Sequence, residues 1–178
     1  MRNRFSTVFF LLMNVIVFGQ KSSKTDDYLF TQFDLSIPIV QNTTITNANQ
    51  TNGKNSRFAF NGISAKFGYG TQNEKWIGLS IHSGIDWCLK EKLVAIPVFG
   101  NLRLSAGLGT GSRITLQFGY GIGYGLSNNY NFSNYTKFSL GLETDNDVII
   151  FGEISGYNFK NDNPNVGIIS IGVAVRTF

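Results

Sequence analysis

The chain has 178 residues, of which 15% are charged and 14% aromatic, with 16 Phe and 20 Gly. This length fits one domain, and the charged fraction lies well below the roughly 25% of an ordinary soluble domain. The net charge of +4 is small, and Arg2 and Arg4 contribute half of it from a segment that we expect to be removed. Since no Lys/Arg cluster exists, the composition argues against nucleic-acid binding and favours an outer surface that is not mainly water-facing.

The N-terminus has the parts of a signal peptide. A basic start, Met1–Arg4, precedes the apolar run Phe5–Phe18, and Gly19 places a small residue at the cleavage edge. The sequence therefore predicts a cleaved signal peptide at 1–19 and an exported domain at 20–178, with an N-terminal membrane anchor as the alternative. No later stretch is apolar enough for a transmembrane helix, so the exported chain stays soluble or crosses the membrane as a β-barrel.

Alternating apolar and small or polar residues predict eight strands. In chain order they cover about 28–40, 57–70, 75–88, 93–105, 113–127, 135–144, 148–159 and 166–178. In the second strand, Phe58 and Phe60 have the opposite parity to Ile63, which predicts a β-bulge near Asn61-Gly62. Pro38 and Pro97 are expected at the outer ends of their strands, where backbone pairing gives way to loops.

The fifth strand determines which side of the sheet faces outward. Thr115, Gln117 and four glycines lie on one face, and glycine neither solvates a surface nor fills a large core. The bulky face would therefore meet lipid, while the glycine face would line a narrow barrel interior. The predicted membrane-facing residues are Ile114, Leu116, Phe118, Tyr120, Ile122 and Tyr124.

The connections between the predicted strands alternate between long and short. Asn-rich segments follow the first and fifth strands, and tight turns follow the second and sixth. This polarity is typical of an outer-membrane barrel with long external loops and short periplasmic turns. Aromatic residues near the strand ends predict two interfacial girdles, with a carbohydrate-binding platform as the alternative. They are Tyr28, Phe30, Tyr69, Trp76 and Phe178 on the periplasmic side, and Trp87, Tyr130 and Tyr135 on the outer side.

Charges of both signs share the inward parity. They are Asp34, Lys66, Asp86, Arg103, Lys137, Glu143, Glu153 and Arg176. Because an eight-stranded barrel has room inside only for side chains, we expect these charges to pair as a structural plug; an ion path is the alternative.

Catalytic and metal-binding patterns are weak. Ser80, His82 and Asp86 share a face of the third strand, but they extend over roughly 20 Å and are not expected to form a catalytic contact by themselves. Cys88 is the only cysteine, so no internal disulfide is possible. We predict no metal and no cofactor.

The strand pattern, the segment Leu93-Val94-Ala95-Ile96-Pro97-Val98 and the terminal Phe178 resemble the small outer-membrane β-barrel proteins of Gram-negative bacteria, the OmpA/OmpX-like class. The resemblance covers almost all of the exported domain. It implies that Phe178 is the assembly signal read by the barrel-assembly machinery. Phe178 has the inward parity of Ala174 and Arg176, which departs from the family pattern.

The sequence thus predicts an all-β, eight-stranded antiparallel up-and-down transmembrane β-barrel in the outer membrane. Its expected role is non-enzymatic, either structural or in surface interaction, with outer-membrane lipid, the assembly machinery and an unidentified surface ligand as partners. A lipid-modifying barrel enzyme is the first alternative. A secreted lipocalin-like barrel, which would turn the bulky face inward, is the second.

Overall fold

The computed structural model describes residues 29–42, 57–73, 76–108, 111–126, 131–159 and 165–178. The predicted signal peptide at 1–19, Tyr28 and Tyr130 lie outside these residues. The strands are β1 (Leu29–Asn42), β2 (Arg57–Phe60), β3 (Gly62–Asn73), β4 (Ile77–Cys88), β5 (Leu93–Gly107), β6 (Arg113–Gly125), β7 (Phe132–Glu143), β8 (Val148–Phe159) and β9 (Val166–Thr177).

Strands β3 to β9 pair antiparallel in chain order, while β1 pairs antiparallel with β2 and β3 on one side and with β9 on the other. This last pairing closes the sheet into a barrel, with β2 and β3 together filling the second of its eight positions. The predicted eight-stranded antiparallel barrel is therefore confirmed. Within the described ranges, no helix combines the length and apolar character needed to cross a membrane.

The barrel has two chemically different ends. At the terminal end, β3 ends at Asn73, β5 at Gly107 and β7 at Glu143, and Leu29 and Phe178 lie at the same end. At the loop end, β1 ends at Asn42, β4 at Cys88, β6 at Gly125 and β8 at Phe159. The predicted strand boundaries differ most at β7, which begins at Phe132 instead of Tyr135, and at β3, which continues to Asn73 instead of Gly70.

The predicted bulge is confirmed at Asn61-Gly62. Ser36 pairs with Ser64, but Ile39 pairs with Phe60, so one extra residue lies on the β2–β3 side. Gly62 has a φ of 141°, a value that side chains other than glycine rarely adopt. The bulge changes the parity of the strand, so Phe60 and Ile63 both point outward.

Both prolines lie within paired strands, which corrects their expected place at frayed strand ends. Pro38 is in register with Ser170, and Pro97 with Gly123. Each coincides with an interruption of its other ladder: the bulge opposite Pro38, and a gap in the β4–β5 register opposite Pro97. A residue without an N–H group is accommodated where one ladder is already broken.

Side chains alternate between the two surfaces of the sheet along every strand. In β6, Phe118 is 45% exposed and Tyr120 is 67% exposed on the outside, while Thr115 and Gln117 are buried on the inside. Large apolar residues also point outward on each of the remaining strands of the barrel wall. The surface is apolar outside and polar inside, as a bilayer requires and as a soluble lipocalin-like barrel does not.

We expect Phe118→Arg and Ile122→Arg to lower the free energy of unfolding in lipid vesicles by about 2–4 kcal/mol each, because a guanidinium near the bilayer midplane loses its hydration. Leu126→Arg, at the loop end of the same face, is the matched control and should cost about 1 kcal/mol or less. Equal stability of all three variants in equilibrium unfolding would show that this face does not meet the hydrocarbon.

Candidate functional site: the barrel interior

The eight charged residues of inward parity are all buried inside the barrel. They form two groups. The central charge chain consists of Asp34, Lys137, Glu153, Lys66 and Asp86, and the terminal charge cluster consists of Arg103, Glu143 and Arg176 with Asp147 from the β7–β8 turn.

The central charge chain crosses the lumen from Asp34 on β1 to Lys137 and Glu153 on β7 and β8, and returns through Lys66 on β3 to Asp86 on β4. Lys137 Nζ lies 3.1 Å from Asp34 Oδ2 and 3.0 Å from Glu153 Oε2. Lys66 Nζ lies 2.8 Å from Glu153 Oε1 and 3.2 Å from Asp86 Oδ1. Charges of opposite sign therefore alternate along the chain, and each ammonium group lies between two carboxylates. This arrangement offsets the large desolvation cost of burying ions.

The central charge chain contains three carboxylates and two ammonium groups. Uncharged side chains donate hydrogen bonds to the carboxylates at its two ends. Gln32 Nε2 donates to Asp34 Oδ1 at 2.7 Å. Tyr157 Oη donates to Asp86 Oδ2 at 2.5 Å, and the Ser64 hydroxyl donates to Asp86 Oδ1. Such hydrogen bonds to a charged acceptor are among the stronger ones in proteins.

The terminal charge cluster centres on Glu143. Arg103 Nη2 donates to Glu143 Oε2 at 2.6 Å, and Arg176 Nη2 donates to the other carboxylate oxygen. Arg176 also pairs with Asp147 Oδ1 at 2.7 Å and donates from Nη1 to Gln72 at 3.2 Å. Two positive and two negative groups are thereby neutralised near the terminal end.

Ser80 contacts His82 on the same strand, which corrects the expectation that the spacing along this strand keeps the two side chains apart. Ser80 Oγ and His82 Nε2 lie 2.8 Å apart, because side chains two residues apart on one face of a strand can lean together. Asp86 does not complete the set, since it bonds Ser64 and Tyr157. Asp34 of β1 takes the third position, with Oδ2 4.0 Å from His82 Nδ1.

The His82 ring fits into a space that β3 leaves open. A Cβ at Gly68, in register with His82 across the β3–β4 ladder, would overlap the imidazole atoms. Phe99 stacks on the ring, with the centroids 5.2 Å apart and an interplanar angle of 17°. His82 is fully buried, and its Nδ1 lacks a hydrogen-bond partner among the described residues.

The loop end of the lumen is filled by an apolar cluster. Its buried members are Cys88, Leu93, Ala95, Phe99, Tyr135, Tyr157, Phe159, Val166 and Ile168. Tyr135 therefore belongs to the interior and not to the predicted outer girdle. Phe30 is likewise buried, at the terminal end, whereas Tyr69, Trp76 and Trp87 are exposed on the outside.

Phe178 lies partly inside the terminal end. Its ring centroid is 4.5 Å from the Arg176 guanidinium carbon and 6.4 Å from the centroid of Phe30. The residue follows the inward parity seen in the sequence, so the lipid-facing side chains of β9 end at Val175.

Sequence reasoning identified the charged members of the interior but missed their neutral partners. Tyr157 and Gln32 have the inward parity, but parity alone does not show which charged group each one contacts. Nor does it predict the contact between Ser80 and His82.

Among the described residues, no group of three His, Cys, Asp or Glu side chains could hold a metal ion.

No protein-family model matches the chain, and no curated protein matches it in sequence. The fold is similar to the crystal structure of the outer membrane enzyme PagL, with a TM-score of 0.54 and 10% identity over 83% of this chain and 99% of that chain. It is also similar to Neisserial surface protein A, with a TM-score of 0.53 and 10% identity over 84% of this chain and 96% of that chain. The chain folds as an outer-membrane β-barrel. Identities this low establish the architecture and carry no activity with them.

We expect the Arg103–Glu143 pair to be strongly coupled. Arg103→Met or Glu143→Gln alone should destabilise the barrel by about 3–5 kcal/mol, because each leaves a buried charge unpaired. The double variant should cost less than the sum by about 1–3 kcal/mol in urea unfolding. Arg103→Met combined with Asp86→Asn is the control. Asp86 is in register with Ala95, eight residues from Arg103 along β5, so these effects should add. Additivity in both cycles would contradict the pairing.

Gly68→Ala should destabilise the barrel by about 1–3 kcal/mol, because the added methyl group meets the buried His82 ring. Combining it with His82→Ala should remove most of this penalty, which thermal unfolding can measure. Gly152→Ala, where the methyl group would enter open space, is the matched control and should be nearly neutral. A penalty in Gly68→Ala that persists without the imidazole would show that the ring is not the obstacle.

Proposed function

We propose that this protein is a non-enzymatic integral barrel of the outer membrane, with a closed interior and a structural or surface-interaction role. The observation that carries the proposal is the filled lumen. The central charge chain occupies the middle, and the apolar cluster occupies the loop end. An ion entering from the loop end would have to displace buried apolar side chains and lose its hydration, which is how hydrophobic constrictions block conduction.

The alternation of connections supports an orientation with the loop end outside the cell. The connections at the loop end include the longest one, 43–56, while those at the terminal end are short. Small outer-membrane barrels place long loops outside and short turns in the periplasm. In this orientation the Asn- and Thr-rich segment 43–56 is the candidate contact with a surface ligand. Lipid covers the wall, and the barrel-assembly machinery would insert the chain.

A lipid-modifying enzyme is the second candidate, and the Ser80–His82–Asp34 arrangement favours it. A hydroxyl 2.8 Å from an imidazole, with a carboxylate beyond it, has the order of a nucleophile, a base and an orienting acid. Three observations favour the structural role. Ser80 is only 7% exposed, the 4.0 Å between Nδ1 and Oδ2 exceeds a hydrogen bond, and Lys137 already binds Asp34. The three side chains also face the lumen, whereas lipid would approach from the outer wall.

Two measurements on the refolded protein test the proposal. Planar-bilayer recordings should show no stable large conductance, with a general porin as the positive control, and lipid A incubated with the protein should keep its acyl chains. A steady channel of about a nanosiemens would contradict the closed interior. Acyl loss that disappears in both Ser80→Ala and His82→Asn would replace the proposal with the enzyme. Acyl loss that persists in both variants would indicate a contaminant.

A further inference from the structure

A polar cavity of about 250 Å³ opens at the terminal end, between the β5–β6 and β7–β8 connections. Small-molecule sites are commonly about 300–1,000 Å³, so this volume fits a ligand the size of an amino acid. The deeper wall of the cavity is formed by Arg176, Glu143 and Gln72, and Phe178 provides an apolar surface beside them.

The charges of the deeper wall are already paired. Arg176 bonds Glu143, Asp147 and Gln72, and Arg103 holds the other oxygen of Glu143. Arg176 Nε is buried without a hydrogen-bond partner among the described residues, and the Phe178 ring lies against the same guanidinium. The ion pairs of the deeper wall thus leave the binding of a charged ligand to other residues of the cavity.

Two further charges line the cavity, and neither forms an ion pair with any residue that the structure describes. Arg113 is half-buried at the start of β6, and Asp145 is exposed in the β7–β8 turn. The Asp145 carboxylate lies against the backbone of Gly111, where a Cβ would overlap it. One guanidinium and one carboxylate thus share a cavity without neutralising each other.

We propose that this cavity binds a small zwitterion that carries one carboxylate and one ammonium group, such as an α-amino acid or the end of a short peptide. Arg113 would hold the carboxylate, and Asp145 would hold the ammonium group. The Phe178 ring provides a surface for an apolar side chain. A simple anion fits less well, because Asp145 and Asp147 line the same cavity and would repel it.

The test uses ¹⁵N-labelled refolded protein and the amide chemical shifts of Gly111 and Thr144. The probes are leucine, N-acetylleucine, leucinamide and glycyl-leucine, which carry both charges, only the carboxylate, only the ammonium, and both charges at a wider spacing. Leucine or glycyl-leucine should give saturable shifts, and both singly charged probes should bind at least about tenfold more weakly. The tighter of the two zwitterions identifies a free amino acid or a peptide end as the source.

Two charge-removing variants assign the partners. Arg113→Gln should weaken binding of the zwitterion about tenfold and leave leucinamide unchanged, while Asp145→Asn should weaken the zwitterion by a similar factor without weakening N-acetylleucine. Lys90→Gln, at the opposite end of the barrel, is the control and should change nothing. The absence of saturable shifts with all four probes would overturn the proposal. So would equal binding of N-acetylleucine and leucine, which would indicate a simple anion site.

Discussion

Pairing of β1 with β9 closes the sheet, and the rest of the structure depends on this closure. In hydrocarbon, an unpaired backbone N–H or C=O group costs several kcal/mol, so a sheet with an open edge cannot cross a bilayer. The nine register pairs from Thr31↔Thr177 to Ile39↔Ile169 remove that edge. Closure also creates a narrow interior that water cannot fill as it fills a porin. Every inward charged side chain must then pair with another inward charged side chain.

The interior meets this demand in layers. Arg176, Glu143 and Arg103 neutralise each other near the terminal end, the central charge chain crosses the middle, and apolar residues occupy the loop end. Opposite charges in a low dielectric attract strongly, but each buried charge also carries a large desolvation cost. The stability of the interior therefore depends more on the alternating signs along the central charge chain than on the number of ions. Small residues on a directly paired strand, such as Gly68 in register with His82, leave space for the larger side chains.

The same layering makes the two ends of the barrel chemically different. The loop end is closed by apolar side chains, and the terminal end keeps a polar cavity with one guanidinium and one carboxylate that do not pair with described residues. A ligand at the terminal end would therefore meet a binding cavity rather than a passage. Fold similarity to both an enzyme and a surface protein is consistent with one scaffold carrying different roles, which depend on individual side chains.

Several features of this protein follow from the sequence by itself. The two-residue period of Ile114–Tyr124 against its glycines determines which face meets lipid, and the parity change at Asn61-Gly62 predicts the bulge, because side-chain direction in a strand is a local property. The inward parity of residues such as Lys66 and Glu153 is local in the same way.

Which inward residues meet was decided only by the tertiary structure. Lys66 and Glu153 are 87 residues apart in the chain, and Asp34 and Lys137 are 103 apart. Their contacts depend on the curvature of the closed sheet and on the length of each side chain, neither of which appears in a parity pattern. For the same reason, the approach of Asp34 to His82 and the cavity beside Phe178 emerge only when strands distant in sequence enclose a common space.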